Sequence, residues 1–181
     1  MDANANDVIQ FWFEEIDQKN WWVKDVAFDD LIRQHFLETH KKAVQGELSQ
    51  WRETALGRLA EVIVLDQFSR NMFRDTKEAF AYDGLALILA QEAVRTNAQA
   101  SLTKIQTSFL YLPYMHSESA NIHEDAVKLY ESLGQPMNLD FELKHKAIID
   151  RFGRYPHRNE ILQRVSTDEE LAFLKEPGSS F

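Results

Sequence analysis

Two short segments of this chain carry most of the side chains suited to anion binding or acid–base chemistry. The first spans residues 65–74 and the second spans residues 150–159, and each alternates aromatic residues with Arg, Asn, Asp or His. Such polar side chains are costly to bury without a partner. Their concentration beside aromatic residues therefore predicts either a binding site or a buried polar lock.

The first segment places Asp66, Arg70 and Arg74 at positions i, i+4 and i+8. A continuous helix would align these three side chains on one face, so Asp66 should pair with Arg70 and leave Arg74 freer. Two hypotheses follow for this segment. Either a helix end presents Arg70 and Asn71 to a ligand, or Asp66 and Arg70 tie down the next loop.

The second segment is rich in groups that bind carboxylate or phosphate. These groups are Arg151, Arg154, His157 and Arg158. Gly153 is predicted to end a helix, and Asn159 to cap the next one, whose N-terminus favours anions. One hypothesis is an anion-binding corner. The alternative is that these arginines pair with carboxylates of the chain itself, such as Asp66, Asp83 or Glu118.

The third polar element is the run His116-Ser117-Glu118. A histidine beside a carboxylate can act as a general base near neutral pH, so His116, Glu118 and His157 are the predicted catalytic groups. No glycine-flanked serine nucleophile and no dense spacing of metal-binding side chains is present. The sequence therefore predicts neither a metal site nor a cofactor.

Length and composition describe a globular protein. The 181 residues, of which 44% are apolar and 27% charged, predict a single helical domain over residues 1–181. The net charge of -9 argues against binding to nucleic acid or to an anionic membrane. Residues 144–164 nevertheless hold six bases and two acids. This basic stretch indicates a local anionic partner or simply a solvated helix face.

Two further features bear on location. The chain has no cysteine, which fits a reducing cytoplasm. Its first residues contain neither a basic stretch nor a long apolar run. We therefore expect a cytoplasmic protein without a signal peptide or a transmembrane helix.

Helical spacing of apolar residues dominates the chain, and sustained alternation typical of strands is absent. The predicted fold class is all-α, with about eight or nine helices. These helices start at Asn6, span residues 26–45 and 49–68, start at Asp75 and at Ser101, and span residues 121–133, 136–153, 159–164 and 169–175. Pro113 should bend or end the fifth helix and leave residues 114–118 at a break.

Several motifs resemble the bacterial family of domains of unknown function numbered 924, over nearly the whole chain. They include Phe11-Trp12-Phe13, Leu65-Asp66-Gln67-Phe68 followed by Arg70-Asn71, Phe80 with Asp83, Leu112-Pro113-Tyr114-Met115-His116-Ser117-Glu118, and Phe152-Gly153-Arg154 followed by Pro156-His157-Arg158-Asn159. This resemblance implies an all-helical fold similar to tetratricopeptide arrays. It implies no established activity.

The shared composition of the three polar segments predicts that they converge on one pocket. The predicted ligand-binding residues are Asp66, Arg70, Asn71, Arg74, Ser117, Arg151, Arg154, Arg158 and Asn159. In the first functional hypothesis, these residues bind a small anionic metabolite, His116 or His157 moves a proton, and Arg154 is not fully paired in the free protein. The alternatives are a tetratricopeptide-like module that clamps an acidic peptide, and a purely structural role. The oligomeric state is left open.

Overall fold

The computed structural model describes residues 3–180, and within them all regular structure is helical. The α-helices are α1 (Ala5–Gln10), α2 (Val26–Val44), α3 (Ala55–Ile63), α4 (Ser69–Met72), α5 (Asp83–Arg95), α6 (Lys104–Met115), α7 (Ala120–Leu133), α8 (Pro136–Phe152) and α9 (Asp168–Phe173). A π turn over Val64–Phe68 joins α3 to α4, so the described residues form eight separate helices. The all-α prediction is confirmed, while the tetratricopeptide-like arrangement stays a prediction.

Shorter helical turns connect these helices. A second π turn follows α1 at Phe11–Glu15, and 3-10 turns lie at Gln18–Trp21, Ser49–Glu53, Lys77–Ala79, Ala98–Ser101 and Pro156–Arg158. The predicted helix over residues 159–164 is wrong, because those residues form hydrogen-bonded turns. Gln163 lies there at a φ of 55°, in the left-handed region, which a helix cannot continue through.

Helix starts are set by capping side chains, and several lie away from the predicted positions. Asn4, not Asn6, caps α1, because its side-chain oxygen accepts hydrogen bonds from the N–H groups of Asn6 and Asp7. Thr54 caps α3, so the long third helix begins after the 3-10 turn and not at Ser49. Thr103 caps α6 through a capping box with Gln106, so the helix begins at Lys104, three residues beyond the predicted start at Ser101.

The prediction that Asp75 opens a helix is also wrong. Asp75 has a φ of 60°, and α5 starts only at Asp83. Residues 73–82 therefore form an irregular connection of turns between α4 and α5. Asp83 follows this connection directly and is the first residue of α5.

Pro113 lies inside α6, and the helix continues for two residues beyond it. The helix therefore does not end at Pro113 itself, and the bend that was the other predicted outcome stays a prediction. A proline lacks the N–H donor and crowds the carbonyl four residues before it, but the residues after it can still donate their helical hydrogen bonds. The His116 N–H donates to the carbonyl of Leu112 at 2.9 Å. His116, Ser117 and Glu118 do follow the end of the helix, as expected.

The remaining long helices match the sequence prediction closely. Both α7 and α8 end at a glycine in the left-handed region, Gly134 at a φ of 66° and Gly153 at 68°. The main core is formed by buried side chains from the elements α1 through α7, including Trp12, Leu59 and Phe68. A smaller core forms where Tyr155 packs with residues of α8 and α9. The division of the chain into one domain stays a prediction.

No helix formed by residues 3–180 combines the length with the apolar composition that a membrane crossing requires.

Candidate functional site

A buried carboxylate and a histidine form the centre of the candidate site. Asp66 lies in the π turn between α3 and α4, and its side chain is 1% exposed. Its Oδ1 atom lies 2.7 Å from Nδ1 of His116 and 3.2 Å from Nη1 of Arg70. Its Oδ2 atom accepts a hydrogen bond from the Gln67 amide at 2.6 Å. Both carboxylate oxygens of Asp66 are therefore bound inside the protein.

The charges around Asp66 define the tautomer of His116. Burial raises the pKa of Asp66, but the charge of Arg70 and the hydrogen bonds from His116 and Gln67 outweigh burial and hold the pKa below its usual value. An ionised carboxylate only accepts hydrogen bonds, so Nδ1 of His116 carries the proton and Nε2 carries the lone pair. Nε2 has no hydrogen-bond partner among residues 3–180.

His116 is uncharged at neutral pH because of its surroundings. Burial lowers the pKa of His116, and the charge of Arg70 lowers it further, while Asp66 partly offsets both effects. The imidazole is therefore neutral at neutral pH. The side chain of His116 is 14% exposed, in contrast to the fully enclosed Asp66. The His116 side chain is therefore partly open to solvent, whereas the carboxylate of Asp66 is not.

Two arginines from distant segments meet at one aspartate beside this pair. Arg70 binds Asp83 with two hydrogen bonds of 2.9 and 3.0 Å, and it also donates to the backbone carbonyl of Asp66 at 3.0 Å. Arg158 donates to Oδ2 of Asp83 at 3.3 Å. Asp83 therefore neutralises part of the charge of both guanidinium groups.

The Arg158 guanidinium lies between two aromatic rings. Its central carbon is 4.6 Å from the ring centre of Phe80 and 4.7 Å from that of Tyr155. Burial and the neighbouring charge of Arg70 lower the pKa of Arg158. Its Nε atom is buried and has no hydrogen-bond partner in the described part of the chain. Arg158 is thus held in place more by stacking than by a full set of hydrogen bonds.

The backbone around His116 is fixed by three side chains from two other places in the fold, the turn after α8 and helix α7. The carbonyl groups of residues 115, 116 and 117 accept hydrogen bonds from the Tyr155 hydroxyl at 2.5 Å, from Nη2 of Arg158 at 3.1 Å and from Nε2 of His123 at 2.9 Å. These are among the carbonyls that a helix end leaves unsatisfied. The position of His116 therefore depends on the turn that follows α8.

The three polar segments meet here as predicted, but only some of their residues do. Asp66 and Arg70 come from the first segment, Arg158 from the second and His116 from the third. The other predicted ligand-binding residues take part in separate interactions. These residues are Asn71, Arg74, Ser117, Arg151, Arg154 and Asn159.

Arg154 lies in an ion pair away from this site. It binds the carboxylate of Glu170 with two hydrogen bonds of 2.6 and 2.8 Å and donates to the carbonyl of Val165 at 2.9 Å. The prediction that Arg154 is not fully paired in the free protein is therefore wrong. The reason is that α9 brings Glu170 against the turn after α8. Arg151 likewise pairs with Glu169, at 2.9 Å.

Asn159 and Glu118 belong to the same neighbouring network. Asn159 does not cap a helix, since its amide donates to Ser166 at 3.0 Å and to Glu170 at 3.3 Å. Glu118 binds Arg164 with hydrogen bonds of 2.7 and 2.9 Å and accepts a third from the Tyr155 N–H at 2.7 Å. Both carboxylate oxygens of Glu118 are therefore bound by Arg164 and the backbone, which does not favour the predicted catalytic role of Glu118.

Arg74 and Asn71 bind a different aspartate. Arg74 contacts both carboxylate oxygens of Asp29 at 2.5 and 2.7 Å, and Asn71 donates to the same carboxylate at 2.8 Å. The prediction that Arg74 is left freer than Arg70 is therefore wrong. Asp29 lies on α2, so this cluster ties α4 to another helix.

His157 and Ser117 also make contacts outside the Asp66–His116 pair. His157 lines an open depression of about 570 Å³, together with Glu160 and Arg164, and burial lowers its pKa to about 4. The Ser117 hydroxyl accepts a hydrogen bond from the N–H of Ser119 at 3.2 Å. Of the two histidines proposed as alternatives for proton transfer, His157 thus lines the depression, whereas His116 binds the buried carboxylate of Asp66.

Sequence reasoning missed two contributors to the site, Phe80 and Tyr155, which stack on Arg158. Asp83 was named as a possible partner of the arginines in the second segment, and the structure places it there. The sequence signal for Phe80 and Asp83 was the Phe80-x-x-Asp83 motif. Among residues 3–180, no group of three or more His, Asp or Glu side chains is arranged to hold a metal ion.

The fold and the site define an all-helical protein with an aspartate–histidine pair beside two arginines. The model of the family described as bacterial protein of unknown function, DUF924, matches residues 8–178, and the chain belongs to this family. A solved structure of a protein of unknown function from Agrobacterium tumefaciens is 38% identical. The match spans 94% of this chain and 96% of that one, with a TM-score of 0.90. No curated protein matches the chain.

Proposed function

We propose that this protein binds a small anionic metabolite beside His116 and that Nε2 of His116 accepts a proton from it. The observation that carries this proposal is the 2.7 Å hydrogen bond from Nδ1 of His116 to the buried Asp66. This bond holds the imidazole in the tautomer that a general base requires.

The charge distribution supports proton transfer at this position. Asp66 is ionised and 1% exposed, so its charge is little screened by water. When Nε2 takes a proton, the resulting imidazolium forms an ion pair with Asp66 at a distance that already exists. His116 therefore needs no rearrangement to gain or lose its proton.

The neighbouring arginines support an anionic ligand. The Arg70 side chain is 20% exposed, whereas that of Arg158 is 6% exposed. Arg70 is thus the cation that a ligand meets first, and Arg158 lies behind it on the shared Asp83. Guanidinium groups bind carboxylate and phosphate oxygens through paired N–H donors.

His116→Asn tests this proposal, because an asparagine amide can donate to Asp66 from nearly the position of Nδ1 but has no equivalent of Nε2. Thermal unfolding is first measured with a panel of small carboxylates, phosphate esters and acidic peptides, since a ligand that binds only the native state raises its stability. Compounds that raise the melting temperature are then incubated in deuterated water. We expect wild-type protein to exchange a carbon-bound proton of such a compound, and His116→Asn to bind the compound without exchange.

The matched control is His35→Asn, on the exposed face of α2. It should leave both ligand binding and exchange unchanged, and each variant should keep its stability within about 1 kcal/mol. The proposal fails if no metabolite stabilises the protein or if His116→Asn exchanges protons at the wild-type rate. Stabilisation by acidic peptides alone would favour the peptide-binding hypothesis instead.

A further inference from the structure

The carboxylate of Asp83 lies where the anion of a ligand is expected. Arg70 and Arg158 both donate to it, and no other carboxylate among residues 3–180 contacts both. We propose that the ligand of this site carries a carboxylate group. This group displaces the Asp83 carboxylate, which binds Arg70 and Arg158 in the free protein. This inference rests on the proposed function and names the ligand class and the competing internal group.

The geometry of Arg70 selects a planar carboxylate. Two nitrogens of its guanidinium each bind one oxygen of Asp83, at 2.9 and 3.0 Å. This parallel pairing matches the flat arrangement of two carboxylate oxygens. A ligand carboxylate in the same place would form the same two bonds and the third contact with Arg158. The site is therefore already shaped for the group that we propose.

Charge balance favours replacement of Asp83 over binding beside it. Two carboxylates, Asp66 and Asp83, balance the two arginines, and His116 is neutral. An anion added to this set would leave three negative groups facing two positive ones at short range. An anion that replaces Asp83 restores the balance, because the displaced side chain moves into water.

Asp83 is placed so that it can leave. Its side chain is 18% exposed, whereas Asp66 is 1% exposed on the other side of Arg70. Asp83 is the first residue of α5, and it follows the irregular connection over residues 73–82. A carboxylate turned outward at this position still interacts favourably with the positive end of the helix dipole. Both features reduce the cost of releasing Asp83 from the arginines.

The Arg158 guanidinium gives an independent reason to expect another occupant. Its one contact with a carboxylate is 3.3 Å long, and its Nε atom is buried without a hydrogen bond in the described part of the chain. A buried donor without an acceptor is costly. A ligand carboxylate that sits deeper than Asp83 would give this cation a closer partner.

The experiment is a calorimetric titration of acetate into wild-type protein, Asp83→Ala and Asp29→Ala, at constant ionic strength maintained with chloride. Asp29 is the matched control, because it too binds an arginine through both oxygens and its side chain is 12% exposed. We expect acetate to bind Asp83→Ala at least about tenfold more tightly than wild type, since removing the competitor frees the whole population of sites. Asp29→Ala should gain no comparable affinity.

Three outcomes would overturn the inference. They are unchanged acetate affinity in Asp83→Ala, equal gain in Asp29→Ala, and tighter binding of inorganic phosphate than of acetate by Asp83→Ala. Should Asp83→Ala fail to fold, Asp83→Asn keeps the shape of the side chain without its charge, and the same gain in acetate affinity is required of it. Proton exchange in the His116 experiment and acetate affinity in the Asp83 experiment are measured independently, so failure of the proposed function and failure of this inference are distinguishable.

Discussion

Arg154 shows how a single ion pair changes the interpretation of a residue. Its guanidinium is bound by Glu170, whose side chain is 3% exposed, and Glu170 also accepts the N–H of Thr167 at 2.8 Å as part of the capping box of α9. Hydrogen bonds from Arg154 lower the pKa of Glu170, so the carboxylate is ionised at neutral pH. Arg154 is therefore a structural residue in this fold, joined to the start of the last helix.

Arg154→Ala should destabilise the protein several-fold more than Arg151→Ala does, because it leaves the enclosed carboxylate of Glu170 without its guanidinium. Arg151 pairs with Glu169 across an exposed surface, with both side chains about half or more in water, and such pairs contribute little. The measurement is the urea midpoint of unfolding for each variant. Equal losses in the two variants would contradict this assignment, and Glu170→Gln should recover part of the loss caused by Arg154→Ala.

At the scale of elements, the end of α8 determines where the arginine site forms. Gly153 adopts a φ of 68°, which turns the chain out of the helix and into residues 155–158. Tyr155 and Arg158 from this turn then donate hydrogen bonds to the carbonyls of Met115 and His116 at the end of α6. The position of His116 thus depends on the left-handed backbone of Gly153, which directs Tyr155 and Arg158 toward it.

Gly153→Ala should destabilise the protein by about 1 kcal/mol, because a side chain at positive φ strains the backbone. A Cβ atom at Gly153 would meet no other atom within 4 Å, so backbone strain is the whole effect. Gly84 in α5 is the matched control, with equal free space and no left-handed backbone. Gly84→Ala should stabilise by about 0.5 to 1 kcal/mol in the same urea unfolding experiment. Destabilisation by both substitutions would show that crowding, not φ, is responsible.

At the scale of the whole molecule, buried neutral histidines make the fold sensitive to acid. Burial lowers the pKa of three of them: to about 4 for His40, about 3 for His145 and about 4 for His157. The ordinary value is about 6.5, which applies to the unfolded chain. Between these values the unfolded state binds protons that the folded state does not, so stability is lost as pH falls.

The free energy of unfolding should therefore be highest above about pH 6.5 and fall progressively to about pH 4, with each histidine contributing up to about 1.4 kcal/mol per pH unit. Carboxylates with a lowered pKa, such as Asp66, add to this loss only at more acidic pH. Urea unfolding across this range gives the slope directly. His145→Gln should flatten it, whereas His35→Gln should not. A stability that stays constant between these pH values would contradict the neutral state of the buried histidines.

The helices themselves were largely determined by the sequence. The long helices α2, α7 and α8 follow local spacing of apolar residues, and Gly134 and Gly153 end two of them where predicted. Boundaries at Asp75 and Ser101 were wrong, because the residues between helices take turn and 3-10 conformations that apolar spacing does not report. The Asp66–Arg70 pair was predictable for the same reason that the helices were, since it spans one helical turn.

The tertiary structure alone decided which charged groups meet. Arg154 and Glu170 are 16 residues apart, Arg74 and Asp29 are 45 apart, and Arg158 and Asp83 are 75 apart. Helical periodicity acts over three or four residues, whereas these pairs depend on how separate helices pack. The sequence therefore indicated that three polar segments belong together. Only packing placed Asp83 between two arginines and left His116 with an open Nε2, because a carboxylate binds the nearest cation in space, not in sequence.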